Sequence, residues 1–180
     1  EIKNYYSNSD LIHMFMSNNR ILLFLIKEEI IIVDQYLIEH FLDSDDVTKY
    51  FLPEIISFKE SQNDENYSKK IDEIFKFNDI EQKIPENFEK NRELGENDDI
   101  TCQIIRKNSV REFISHITKT GLSLKSFIKD SIFETNKFIQ NERLTLIEYA
   151  AFCGSNHIFQ YLLQNKVELE SSLWIYAIHG

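Results

Sequence analysis

Residues 145–163 read TLIEYAAFCGSNHIFQYLL, and small, apolar and turn residues fall there at the spacing of one helix-turn-helix unit. Thr145 can cap a helix N-terminus while Glu148, three places on, reaches back to the cap, the reciprocal arrangement of a capping box. A helix is therefore predicted to start here. Ala150 and Ala151 let a neighbouring helix approach closely, and Gly154 sits where a short helix reverses through a left-handed residue. Ile158, Phe159, Leu162 and Leu163 then give a second helix one apolar stripe that it cannot bury alone. Such a unit needs neighbours to stack on.

A second copy begins in SSLWIYAIHG, residues 171–180, where Ala177 and Gly180 repeat the spacing of Ala151 and Gly154. From Gly154 to Gly180 the period is 26 residues. Working back along the chain, Ile100, Ile104 and Ile105 form one stripe, Ser109 and Glu112 a capping box, and Val110, Phe113, Ile114 and Ile117 the next stripe, closed by Gly121. This is another helix pair, although its alignment to residues 145–163 slips by one between the two helices. Residues 122–142 read as a long connection with a short helix inside it, started by a capping box at Ser131 and Glu134.

Residues 59–99 are rich in Glu, Asp, Asn and Lys and read as an acidic polar linker or insertion, apart from a possible short helix around Ile71, Ile74 and Phe75 and an apolar point at Phe88. Residues 1–58 read as a helical N-terminal region with helices near 9–17, 19–28, 33–42 and 46–58, the last kinked or started at Pro53. His13 to Ser17 can be laid on Ala150 to Gly154, with Ile21, Leu22, Leu25 and Ile26 on the later stripe. Residues 9–42 therefore include a possible degenerate repeat. The organisation expected is 1–58, 59–99 and 100–180.

The register of residues 145–163 resembles the ankyrin repeat: Thr145, Ile147, Ala150, Ala151, Gly154, Ile158, Leu162 and Leu163 stand on its defining positions. Leu146, Glu148, Ser155 and Lys166-Val167 replace residues usual in that repeat. An ordinary unit is roughly 33 residues, so a period of 26 leaves out the extended β-hairpin finger. With YFLPEIISF (50–58), DDITCQIIRKNS (98–109) and SIFETNKFI (131–139), the chain is similar to a large protist-expanded family of divergent ankyrin-repeat proteins with shortened repeats. The resemblance implies an all-α fold, a helical solenoid of degenerate ankyrin-type helix-turn-helix repeats with an incomplete last repeat. It also implies an interaction scaffold with no catalytic residues and no cofactor.

Composition narrows the function classes. With 42% apolar residues, 4 Gly and 2 Pro in 180 residues, the chain has enough apolar content for one core or repeat stack. Lys27-Glu28-Glu29 interrupts the apolar run Ile21–Ile26, so no membrane span is expected. Without a signal-like N-terminus, and with only Cys102 and Cys153, an intracellular, cytoplasmic location is expected, and the Asn66-Tyr67-Ser68 sequon reads as a chance match. A formal charge of −10 argues against nucleic acid. Beginning at Glu1 and stopping inside a repeat, the chain reads as a fragment whose adjoining repeats belong to a longer protein.

Asp43, Asp45 and Glu54 occupy positions 1, 3 and 12 of a calcium loop, but Val47 and Thr48 stand where a ligand and a Gly are needed, so an acidic helix start fits better and no metal is expected. Cys153 and His157 are four apart, yet the turn at Gly154 lies between them, which leaves a Cys-dependent hydrolase a distant alternative. The function expected is binding a protein partner through exposed faces of the first helices. The candidate residues are Tyr149, Phe152, Cys153, Ile175, Ile178 and His179, with Gln103, Arg106 and Lys107 in the preceding unit. On this reading Tyr149→Asp leaves the fold intact. Trp174 reads as a packing or interface residue. The main rival is a structural, capping segment of a longer array.

Overall fold

Short polar side chains set where the helices begin, and buried stripes decide what they pack on. In a computed structural model, residues 5–62, 64–81, 84–140 and 142–180 are described, and all regular elements among them are helices. The all-α class is thus observed. The chain divides into two units, Glu1–Gly95 and Glu96–Gly180.

In the first unit, α1 (Asn8–Phe15) starts at a closed capping box between Ser7 and Asp10. Asn18 caps α2 (Asn19–Lys27) through the Ile21 N–H at 3.0 Å, and Asp34 caps α3 (Gln35–Phe41) through the Leu37 N–H at 2.9 Å. Leu11, Ile12, Leu22, Leu37, Ile38 and Phe41 are buried. The helix predicted over 46–58 is two, α4 (Asp45–Tyr50) and α5 (Leu52–Ser61), with Pro53 in the first turn of α5. Its missing N–H has no intrahelical partner there in any case.

Residues 59–99, read from sequence as a polar linker or insertion, contain α6 (Glu65–Phe77), capped by Asp64, and α7 (Phe88–Leu94). Ile71 and Phe75 bury one stripe of α6. The second anchor could not be read as apolar, because it is Arg92, 1% exposed. Its guanidinium donates to both Glu54 oxygens at 2.7 and 2.8 Å and to the Tyr50 carbonyl at 2.9 Å, and it lies 5.6 and 5.4 Å from the Tyr50 and Phe88 ring centroids. A buried charge is tolerated when its terminal donors are used this way, here with the buried Nε left without a hydrogen-bond partner.

In the second unit, α8 (Ile100–Arg106) is capped by Asp99 and α9 (Val110–Thr120) by Ser109. The predicted capping box at Thr145 closes in full at the head of α10 (Leu146–Phe152), which is followed by α11 (Asn156–Gln164) and α12 (Leu173–His179). The turn inside each pair has the same design. Asn108 (φ 53°) precedes Ser109, and Gly154 (φ 62°) precedes Ser155. The α1–α2 turn at Ser17-Asn18 has no such left-handed residue.

The helix α10 packs on α8, α11 and α12, and α9 on α8 and α11, so first helices form one row and second helices another. Cys102, Ile105, Phe113, Ile117, Ile147, Ala150, Ile158 and Leu162 fill the space between. Hydrogen bonds tie successive pairs together. Ser155 Oγ donates to the Ile105 carbonyl at 2.5 Å, and Ser172 Oγ to Glu148 Oε1 at 2.5 Å, so Glu148 serves its own cap, Thr145, and the next helix at once.

Two expectations change. Since α10 starts at Leu146 and α12 at Leu173, Leu146, Tyr149 and Ala150 recur as Leu173, Tyr176 and Ala177 at an offset of 27, one more than Gly154 and Gly180 suggest. Gly180 then corresponds to Cys153. A side chain there would collide with the Phe152 backbone carbonyl. The short helix expected inside 122–142 is replaced, among the described residues, by turns and one antiparallel bridge between Phe127 and Thr145. Ser131 does not cap a helix; its hydroxyl donates to Asp98 Oδ1 at 2.8 Å.

Candidate interaction face

The first helices α8, α10 and α12 carry seven of the nine candidate residues and Lys107 and Cys153 are the C-caps of α8 and α10, and the structure divides the nine into two sets. Tyr149 is not on an open face: it is 1% exposed. Residues 129–139 run over this side as a strap. Asn97, just before α8, donates from Nδ2 to the Lys129 carbonyl at 2.7 Å and from its backbone N–H to Glu134 Oε2 at 3.2 Å. Phe133 and Glu134 are buried, Ile139 enters the core, and the Phe138 ring stacks on His179 of α12 at 4.1 Å and 13°.

Beneath the strap, Arg106 is fully engaged. It donates from Nη1 to Tyr149 Oη at 2.5 Å and from Nη2 to the Asn97 carbonyl at 2.6 Å, and its Nε meets Glu96 at 2.9 Å. Burial pushes the Tyr149 hydroxyl far above its ordinary range, the Cys153 thiol up to about 11 and the Cys102 thiol up to about 12. Phe152 and Cys153 are half-buried, whereas Gln103 and Lys107 are exposed. His157 does not face Cys153: its Nδ1 pairs with Asn108 Nδ2 at 3.0 Å.

The second set lies on α12. Ile175 is 54% and Ile178 74% exposed, beside His179, and Trp174, read from sequence as a packing or interface residue, is 71% exposed. These side chains form an apolar surface on one short helix. Elsewhere, an open groove of about 510 Å³ beside α9 is lined by Ile104, Arg111, Glu112, Ser115, His116 and Lys119.

Among the described residues no group of three or more His, Cys, Asp or Glu is placed to hold a metal ion, and no helix is long and apolar enough to cross a membrane. Asp45 lies in the first turn of α4 and Glu54 pairs with Arg92, in keeping with a helix start rather than a calcium loop. Charge is uneven along the chain. Residues 1–95 carry twenty Asp and Glu against eleven Lys and Arg, and residues 96–180 ten against nine, so the acidity comes from the first unit. Comparison with known proteins returns no matching family model, no similar curated protein and no similar solved structure.

Proposed function

We propose that the second unit is a short solenoid of divergent ankyrin-type repeats acting as a non-catalytic protein-binding scaffold, with α12 as its contact surface. The observation that carries this reading is the exposure of Trp174, Ile175 and Ile178 together on one helix. Large aromatic and aliphatic side chains at solvent are what interface centres are built from. The repeated turn design and the two helix rows support the stacking half of the reading, and the full engagement of Arg106 supports placing the contact on α12 rather than on α8.

The test is a photo-crosslinking residue placed at Ile178 and, as a control, at Lys119 on α9, in the protein expressed in cells. Adducts to a second protein from position 178, lost on Trp174→Asp, are expected. Equal adducts at both positions, or none, would remove the reading. An α12 face covered by adjoining repeats would instead make this a structural segment of an array, and crosslinks within one chain would decide for that.

A further inference from the structure

The strap offers a second kind of information, because it shows what the α8–α10 face accepts. It crosses the first-helix row from Asp98, where Ser131 donates to the carboxylate, to His179, where Phe138 stacks. Between these points it sets an aromatic residue and a carboxylate, Phe133 and Glu134, into the surface, both nine-tenths buried or more. From the face the Asn97 N–H donates to Oε2 at 3.2 Å, and from within the strap the Asn136 N–H donates to Oε1 at 2.8 Å. No helix forms in the strap, so its hold is made of side-chain insertions and a few polar contacts.

Two features limit that hold. Arg106, whose charge acts on Glu134, spends its donors on Tyr149, the Asn97 carbonyl and Glu96 rather than on a direct ion pair with Glu134. A buried carboxylate without one keeps much of its desolvation cost. Every contact from Lys129 to Asn136 is made by an irregular segment, which opens more readily than the helices under it.

We propose that residues 129–139 are a resident pseudo-ligand, and that the α8–α10 face takes an external extended peptide carrying an aromatic residue followed by a carboxylate, which binds by displacing the strap. This rests on reading the first-helix row as a binding face but not on the α12 contact. Occupancy by the strap lowers the apparent affinity for such a peptide by the fraction of time the face is open.

The probe is a labelled synthetic peptide of residues 129–139, titrated against the full chain and against a Phe133→Gly/Glu134→Gly chain. The variant is expected to bind about tenfold or more tighter than the native chain, since the competing occupant has lost its two inserted side chains. A peptide with Ala at both positions is expected not to bind. A variant that keeps native helicity and a cooperative melt yet ignores the peptide overturns the proposal. If the variant does not fold, hydrogen exchange on the native chain decides: the Asn97 and Asn136 amides are expected to exchange at least about tenfold faster than those of α10, and equal rates mean the strap leaves only on unfolding. Crosslinking at Ile178 reads the α12 partner separately, so either result can fail alone.

Discussion

Asn108, at the end of α8, caps a helix that belongs to the next pair: its Oδ1 accepts the His157 backbone N–H at 3.0 Å and that of Ile158 at 3.2 Å. Ser155, the residue formally at the cap of α11, makes no such side-chain bond. The orphan N–H groups of α11 are thus served from across the repeat junction.

Replacing Asn108 by Gly isolates that cap, because Gly adopts φ 53° without strain. A loss of about 0.5–2 kcal/mol is expected, read as a lower urea midpoint. Asn108→Ala is expected to lose about 1 kcal/mol more through its left-handed backbone. A Gly variant with an unchanged midpoint would show that the junction bond contributes nothing.

Tyr149→Phe removes the acceptor of Arg106 Nη1 and is expected to cost about 1–3 kcal/mol, measured by chemical denaturation. Tyr149→Asp is expected to unfold the second unit, since a carboxylate would replace a side chain that is 1% exposed. A stably folded Asp variant would put Tyr149 back on an open face.

Burial raises the Glu134 carboxyl above the ordinary range, with the Asn136 and Asn97 N–H groups and the Arg106 charge pulling it down. A folded value above the unfolded one means that this group's contribution to stability is complete below about pH 4.3 and is lost as pH rises through the folded value. The stability of the native chain relative to Glu134→Gln is therefore expected to fall as pH rises above about pH 4. A difference that rises or stays flat contradicts the buried placement.

The two thiols are expected to label slowly with iodoacetamide at about pH 8, and quickly once denaturant opens the unit, because burial disfavours the thiolate. Fast labelling of Cys153 in the folded chain would revive the Cys-dependent hydrolase.

Local signals were legible and long-range cover was not. Thr145 with Glu148, Ser109, Gly121 and Gly154 each act within a few residues, so their helix ends could be placed from sequence. Asn108 takes the same left-handed turn position as Gly154, but Asn there reads equally as an ordinary polar residue. Arg92 could not be read as core, because its burial depends on Glu54 and the Tyr50 carbonyl some forty residues away. The exposure expected for Tyr149 was misjudged for a related reason. The amphipathic pattern showed that Tyr149 lies on the first-helix row, but SIFETNKFI carries the same residue types as a short helix, and nothing local reveals that it crosses the row instead.

The strap also changes how the unit should melt. In a plain stack each repeat touches only its neighbours, and the array can fray from either end one repeat at a time. Here one segment is stitched to Asp98 ahead of the first helix pair and to His179 at the far end of α12. Losing α12 therefore loosens a contact chain that reaches back to α8, so the ends are coupled through a path that bypasses the middle pair. While the strap is closed such a unit should resist fraying from its ends, and it should fold more slowly than a plain stack of its length because the strap must close over long sequence separations.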